Sequence, residues 1–115
     1  MKKAYRVKSE QDFQKVFHEG RSVANRQLVL YTYPKIGQTH FRVGLSVGKK
    51  MGNAVKRNQI KRYLRHGLIE LEPYIENEWD FLLIARPDIR NKSYEEIKHS
   101  IQHVMNLAGI IHKEK

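Results

Sequence analysis

The chain has no cysteine, which excludes disulfides and thiolate metal sites and suits the cytoplasm. It has no apolar run approaching the ~18–20 residues that cross a bilayer, so no membrane partner is expected. The charges of Met1-Lys2-Lys3-Ala4-Tyr5-Arg6 are not followed by an apolar stretch, so no secretory signal is expected there. No internal repeat, low-complexity tract or linker interrupts the 115 residues, which read as one domain able to bury roughly two-thirds of its unfolded surface. The most informative absence is of one sign of charge: between Gly20 and Ile69 there is no Asp or Glu. That stretch holds eleven cations, Arg21, Arg26, Lys35, Arg42, Lys49, Lys50, Lys56, Arg57, Lys61, Arg62 and Arg65. The net charge of +10 therefore resides in this one segment. A surface built for solubility intersperses the two signs. Clustering one sign concentrates potential for a polyanion, and nucleic acid is the polyanion expected.

The apolar pattern predicts a compact α+β sandwich, helices against one small, mostly antiparallel sheet. Ser9 caps a short helix in which Phe13, Val16 and Phe17 form one apolar stripe and after which Gly20 is the stop. A strand from Gln27 to Tyr33 has Gln27, Val29, Tyr31 and Tyr33 on one face and Leu28, Leu30 and Thr32 on the other. A second runs from about Phe41 to Val47, with Phe41, Val43, Leu45 and Val47 inward. Asn53 caps a helix from Ala54 to about Leu71, which ends near Pro73. Phe81 to Ala85 reads as a strand covered on both faces. Ser93-Tyr94-Glu95-Glu96 is a capping box for a last helix carrying Ile97, Ile101, Val104 and Ala108. Phe41, Phe81 and Trp79 belong to the core or its rim. The Lys113-Glu114-Lys115 end is expected to fray.

On the long helix, Ile60, Leu64, Gly67 and Leu71 share one side, while Asn58, Lys61, Arg62 and Arg65 form a neighbouring stripe. Lys56 and Arg57 lie in its first turn, and Lys49 and Lys50 just before it. Cations at a helix N-terminus work against the helix dipole. A phosphate bound at the same end would reverse that penalty. A merely solvated basic face would carry carboxylates at i±4, and none is present beside Asn58, Lys61, Arg62 or Arg65. Six to eight phosphate contacts would give a log–log salt slope on the order of −4 to −7. Asn58, uncharged within the stripe, suits a hydrogen bond to a base or sugar edge, or the orientation of Lys61 and Arg62.

The segment Lys49-Lys50-Met51-Gly52-Asn53-Ala54-Val55-Lys56-Arg57-Asn58-Gln59-Ile60-Lys61-Arg62 resembles the signature of the bacterial ribonuclease P protein family. Asp12 to Phe17, Ser22 to Arg26, Phe41 to Val47 and Ile84-Ala85-Arg86 resemble further family blocks in family order, together covering most of residues 4–105. The resemblance implies a left-handed βαβ crossover, the arrangement of the second domain of ribosomal protein S5. It also implies a protein cofactor of a catalytic RNA that removes the 5′ leader of precursor tRNA. In the family the RNA, with Mg²⁺, hydrolyses one phosphodiester to leave a 5′-phosphate. No tightly bound protein cofactor, no metal site on the protein and no catalytic residue are implied; the partners are the RNA, one to one, and precursor tRNA, with the free protein monomeric. By similarity Lys49, Lys50, Lys56, Arg57, Asn58, Lys61, Arg62 and Arg65 face the RNA subunit, and Phe13, Phe17 and Tyr31 line a cleft for the single-stranded leader. Read from residues alone, Phe13 and Phe17 are first an ordinary core stripe, Phe13 the more buried of the two. Pro87-Asp88 stands where the family often has a further cation.

Nothing supports a nuclease acting alone. Glu70, Glu72, Glu76, Glu78 and Asp80 cluster beyond the basic helix, and the His99–His103 pair has no evident third ligand. The alternatives are a general structured-RNA-binding protein of ribosomal or chaperone type, and a DNA-binding regulator. The latter is disfavoured because the basic helix follows a strand rather than a short helix and tight turn. Self-repulsion of the cations predicts a chain only partly folded at low ionic strength. Its thermal midpoint should rise in sulfate relative to chloride at matched ionic strength, and equal midpoints would reject this.

Overall fold

The computed structural model describes residues 5–112, so the expected fraying of residues 113–115 lies outside the described residues. Ser9 opens the first helix, α1 (Glu10–Glu19), its hydroxyl accepting the Asp12 backbone N–H at 3.0 Å. Gly20 closes it, donating its N–H to the Val16 carbonyl. Four strands follow the predicted order with one addition: β1 (Arg21–Ala24), β2 (Leu28–Pro34), β3 (Arg42–Ser46) and β4 (Trp79–Ala85). The added strand is β1, whose four residues bury only part of Val23 and carry almost no period-two signal. It forms because β2 offers it a ladder, Arg21 opposite Thr32 through Ala24 opposite Val29.

The sheet order is β1-β2-β4-β3, antiparallel at its first two pairings and parallel between β3 and β4. Parallel neighbours need a crossover, and helix α2 (Ala54–Leu71) supplies it. Leu28, Leu30, Val43, Phe81 and Leu83 project from one face into the main core, against Ile60, Leu64 and Leu68 of α2 and Ile97, Ile101 and Val104 of α3 (Tyr94–Ala108). Phe81, Leu82 and Leu83 are buried in succession, as expected of a strand covered on both sides. The α2–α3 seam is close: a Cβ on Gly67 would sit 2.8 Å from the Ile101 Cδ1. The Ser93 capping box is complete, and the Ser93 N–H holds the Glu96 carboxyl below its ordinary range.

The other face meets α1 through buried Val16 and Leu82. It also holds Asp80, which is fully buried. Arg42, its cross-strand neighbour, donates from Nε at 3.0 Å and from Nη2 at 2.6 Å to the two Asp80 oxygens. The Arg42 Nη1 lies 3.5 Å from Asp12, which ties α1 to the sheet. Arg42 is therefore not one of the free cations counted by charge alone: its partner lies 38 positions away in sequence and only the parallel register brings them together. Asn25 plays a comparable part at the opposite edge. Its Oδ1 accepts the Gln27 and Leu28 N–H groups, and its Nδ2 donates to the Ser100 carbonyl and hydroxyl, fastening the β1–β2 turn to α3.

Breaking a buried ion pair from one side leaves the other charge uncompensated. Arg42→Ala should cost about 3–5 kcal/mol of stability in urea unfolding, whereas Arg26→Ala, at an exposed position, should stay within about 0.5 kcal/mol. A small loss at Arg42 would show that Asp80 finds another partner.

Candidate nucleic-acid interface

Helix α1 is short and crosses only part of its sheet face. Tyr31, Leu82 and Gly44 lie side by side in one row across β2, β4 and β3. The Phe17 ring lies over Tyr31 with centroids 5.0 Å apart, and Phe13 lies over Gly44. Two side chains one turn apart on α1 thus cover two positions of the same row. Phe13 is partly buried, Tyr31 is partly buried, and Phe17 remains 40% exposed. Lys15 sits on the same helix with its Nζ 5.5 Å from the Tyr33 ring centroid, a cation–π distance. In the next row Ala24 is exposed, and Val29, Ile84 and Ser46 are partly exposed. The aromatics expected to line a cleft therefore share one partly open sheet face.

A cleft of 220 Å³ adjoins them, between Phe13, the Val43–Leu45 edge of β3, and Lys61 and Arg65 of α2. Arg6 completes it, because the segment before α1 pairs with β3, the Val7 N–H reaching the Val43 carbonyl at 3.1 Å. Sequence reasoning missed Arg6 and Lys15. Both lie outside the acid-free segment, and only tertiary packing brings Arg6 to its cations and Lys15 to Tyr33. The apolar side of α2 is as expected, Ile60, Leu64, Gly67 and Leu71, with Leu68 added.

The eight cationic and amide positions expected to face RNA are distributed over two clefts and the turn before α2. Lys61 and Arg65 turn toward the aromatic cleft. Lys56 and Arg62 border a separate cleft of 520 Å³ with Asn53, Val55 and Gln59. Asn58 is exposed, and so are Lys49 and Lys50 in a short turn ahead of α2, where Met51 is buried. Arg57 precedes Ile60 by three residues on the inward side of the helix, and its Nε is buried with no hydrogen-bond partner. The Asn53 side chain accepts the Lys56 N–H at 2.9 Å, so the cap forms as read.

Ion pairs among the described residues involve Arg42, His66, Lys92 and Lys98. The other ten cations of the acid-free segment have no carboxylate partner among the described residues. Glu70, the nearest acid beyond it, is engaged: Tyr94 and Lys98 donate to it, which lowers its pKa, while burial, and then the bond to Glu70, raise that of Tyr94. Asp88, where a family cation is often found, accepts from Gln27 Nε2 at 2.6 Å and packs locally. His103 lies 3.3 Å from Asn25 through Nδ1, within the turn-fastening network. No group of three His, Asp or Glu side chains is placed to hold a metal ion among the described residues. No described helix is long and apolar enough to cross a membrane.

An α+β sandwich with unpaired cations beside half-open aromatics belongs, as a class, to the nucleic-acid-binding scaffolds. Residues 1–109 match the model of the family described as Ribonuclease P. The chain is 54% identical to the ribonuclease P protein component of Lactobacillus gasseri, over all of this chain and 95% of that one. It is 57% identical to that of Streptococcus mutans, over 96% and 91% of the two chains. The solved ribonuclease P protein of Staphylococcus aureus superposes with a TM-score of 0.87 at 42% identity, covering 96% of this chain and 100% of that one. That of Thermotoga maritima, 23% identical with a TM-score of 0.81 over 89% of this chain and 96% of its own, shares the fold. The chain belongs to the ribonuclease P protein family, a family of tRNA processing and RNA binding.

The open row depends on Gly44. A Cβ there would stand 2.7 Å from Leu82 Cδ2 and 3.5 Å from the Phe13 ring. Gly44→Ala should cost about 1–3 kcal/mol in urea unfolding through overpacking. An unchanged midpoint would mean that the Leu82 side chain is free to swing away.

Proposed function

We propose that this chain is the protein subunit of a ribonuclease P holoenzyme in which an RNA performs the cleavage. Phe13, Phe17 and Tyr31 hold the single-stranded 5′ leader of precursor tRNA, and the cations of α2 and the turn before it hold the RNA subunit. The observation that carries this reading is the row in which Phe17 lies over Tyr31 and Phe13 over Gly44, with Phe13 also lining one cleft with Lys61 and Arg65 of the cationic helix, in a chain of this family. Aromatic faces stack on any base, which suits a leader of variable sequence, at ~1–3 kcal/mol per base. Lys61, Arg65 and Arg6 would neutralise its phosphates from the facing wall.

Mg²⁺ belongs to the holoenzyme and is held mainly by the RNA. The clefts beside α2 are lined by amines and guanidiniums, which repel the ion, and lack the carboxylates that would bind it. When bound to the RNA it supplies the activation of water for phosphodiester hydrolysis, leaving a 5′-phosphate. The polypeptide's own work is to position the leader and to offset phosphate repulsion where the RNAs meet. It acts in the cytoplasm, monomeric when free and one copy per RNA in the complex.

The test is precursor-tRNA cleavage at low Mg²⁺ by a bacterial ribonuclease P RNA, with and without the protein, and by the protein alone. Cleavage at the mature 5′ end should require both together. RNA binding without stimulation would return the chain to the general RNA-binding proteins. Phe17→Ala and Tyr31→Ala should each weaken binding of leader-bearing precursor by about tenfold and spare mature tRNA. Equal losses on both substrates would remove the leader assignment.

A further inference from the structure

The segment ahead of α1 is fastened to the sheet against its own charge. Its ladder is a single parallel bridge, Arg6 beside Val43, with the Val7 N–H on the Val43 carbonyl at 3.1 Å. Arg6 is exposed and has no carboxylate partner among the described residues, yet it lines the cleft beside Lys61 and Arg65. Three like charges repel, so electrostatics alone would drive this segment off the sheet edge. One bridge is a weak restraint, and segments so held open locally. Another contact has to fix it.

That contact is Tyr5. Its ring stacks on His40 with centroids 4.3 Å and planes 28° apart, and packs edge-to-face against buried Phe41 at 5.1 Å. The His40 Nδ1 donates to the Phe41 carbonyl at 2.8 Å, which fixes the ring on which Tyr5 lies. Glu72 accepts from the Tyr5 hydroxyl, and chiefly that bond raises the tyrosine's pKa. Tyr5 borders a separate cavity of 560 Å³ with Glu72, Trp79 and His112 and does not line the cleft. We infer that Tyr5 is a positioning residue: it clamps this segment to His40, Phe41 and Glu72 so that Arg6 already stands where a leader phosphate arrives. The inference rests on the leader reading of the cleft and adds to it the anchor that organises one of its cations before any RNA is bound. It also gives Glu72 a task, as Asp80 has with Arg42 and Glu70 with Lys98.

The experiment uses the holoenzyme reconstituted with a bacterial ribonuclease P RNA and measures affinity for leader-bearing precursor and for mature tRNA across a salt series. The variants are Arg6→Ala, Tyr5→Ala, Tyr5→Phe and Tyr5→Ala/Arg6→Ala, each checked by thermal melting. Arg6→Ala should weaken precursor binding by about fivefold and reduce the magnitude of the log–log salt slope by about 0.7, sparing mature tRNA. Tyr5→Ala should reproduce both changes, and the double variant should add nothing to them. Tyr5→Phe, which keeps both ring contacts, should recover most of the affinity. In the free protein in sulfate, the Val7 amide should exchange its hydrogen faster in Tyr5→Ala than in Arg6→Ala. His40→Ala, which removes the stacked ring from outside the core, should show the same pattern and decides the matter if Tyr5→Ala does not fold. Additive losses, an unchanged slope in Tyr5→Ala, an equal loss on mature tRNA, or Val7 protection that survives Tyr5→Ala would overturn the inference. A leader-selective loss in Phe17→Ala with none in Arg6→Ala or Tyr5→Ala would overturn it alone. No such loss in any of the three would reject the leader reading itself.

Discussion

Everything else in this molecule is arranged around β4. It is buried on both faces, pairs antiparallel with β2 and parallel with β3, and so forbids any short connection between β3 and itself. The chain must leave the sheet after Ser46, run the length of a helix and return at Trp79. That excursion is α2, and its apolar side is spent on the core while its remaining sides are left for cations. The basic helix is thus a consequence of a parallel pairing in a small sheet. Its position beside the edge strand β3 is what brings Lys61 and Arg65 level with Phe13.

A domain with so much charge of one sign must place its few carboxylates well. Asp80 is put where a sheet-face cation would otherwise be buried alone, and Asp12 reaches the same guanidinium from α1. The aromatic row depends on this arrangement, since the link to Asp12 sits one residue before Phe13. Glu70 does similar service at the other end of α2, bridging to Tyr94 and Lys98 of α3. Between these two anchors the cations have no carboxylate partner among the described residues, and a bound polyanion is the natural counter-charge.

Much of this was legible in the residues. The caps at Ser9, Asn53 and Ser93 and the boundaries of α2 came from short-range chemistry, and the alternation of β2 named both of its faces correctly. Strand β1 escaped because Arg21-Ser22-Val23-Ala24 has no pattern of its own and borrows its conformation from a neighbour. Arg42 was read as free because its partner is distant in sequence, a relation that no local rule contains. The helical wheel of α2 separated core from surface. It did not divide the surface between the aromatic cleft and the cleft beside Lys56 and Arg62, since that requires knowing where β3 lies. Asn25 looked like a member of a family block and proved to be the fastening of a turn.

Strand β1 has one more consequence. As an open edge it exposes a row of backbone donors and acceptors on which another chain's strand could grow. It is only four residues long, with Arg21 at its start and Arg26 just past its end, so like charges meet when two copies approach edge to edge. The opposite edge is closed at Val43 by Val7. Two cations of the acid-free segment therefore also guard this edge against pairing with a second copy of the chain.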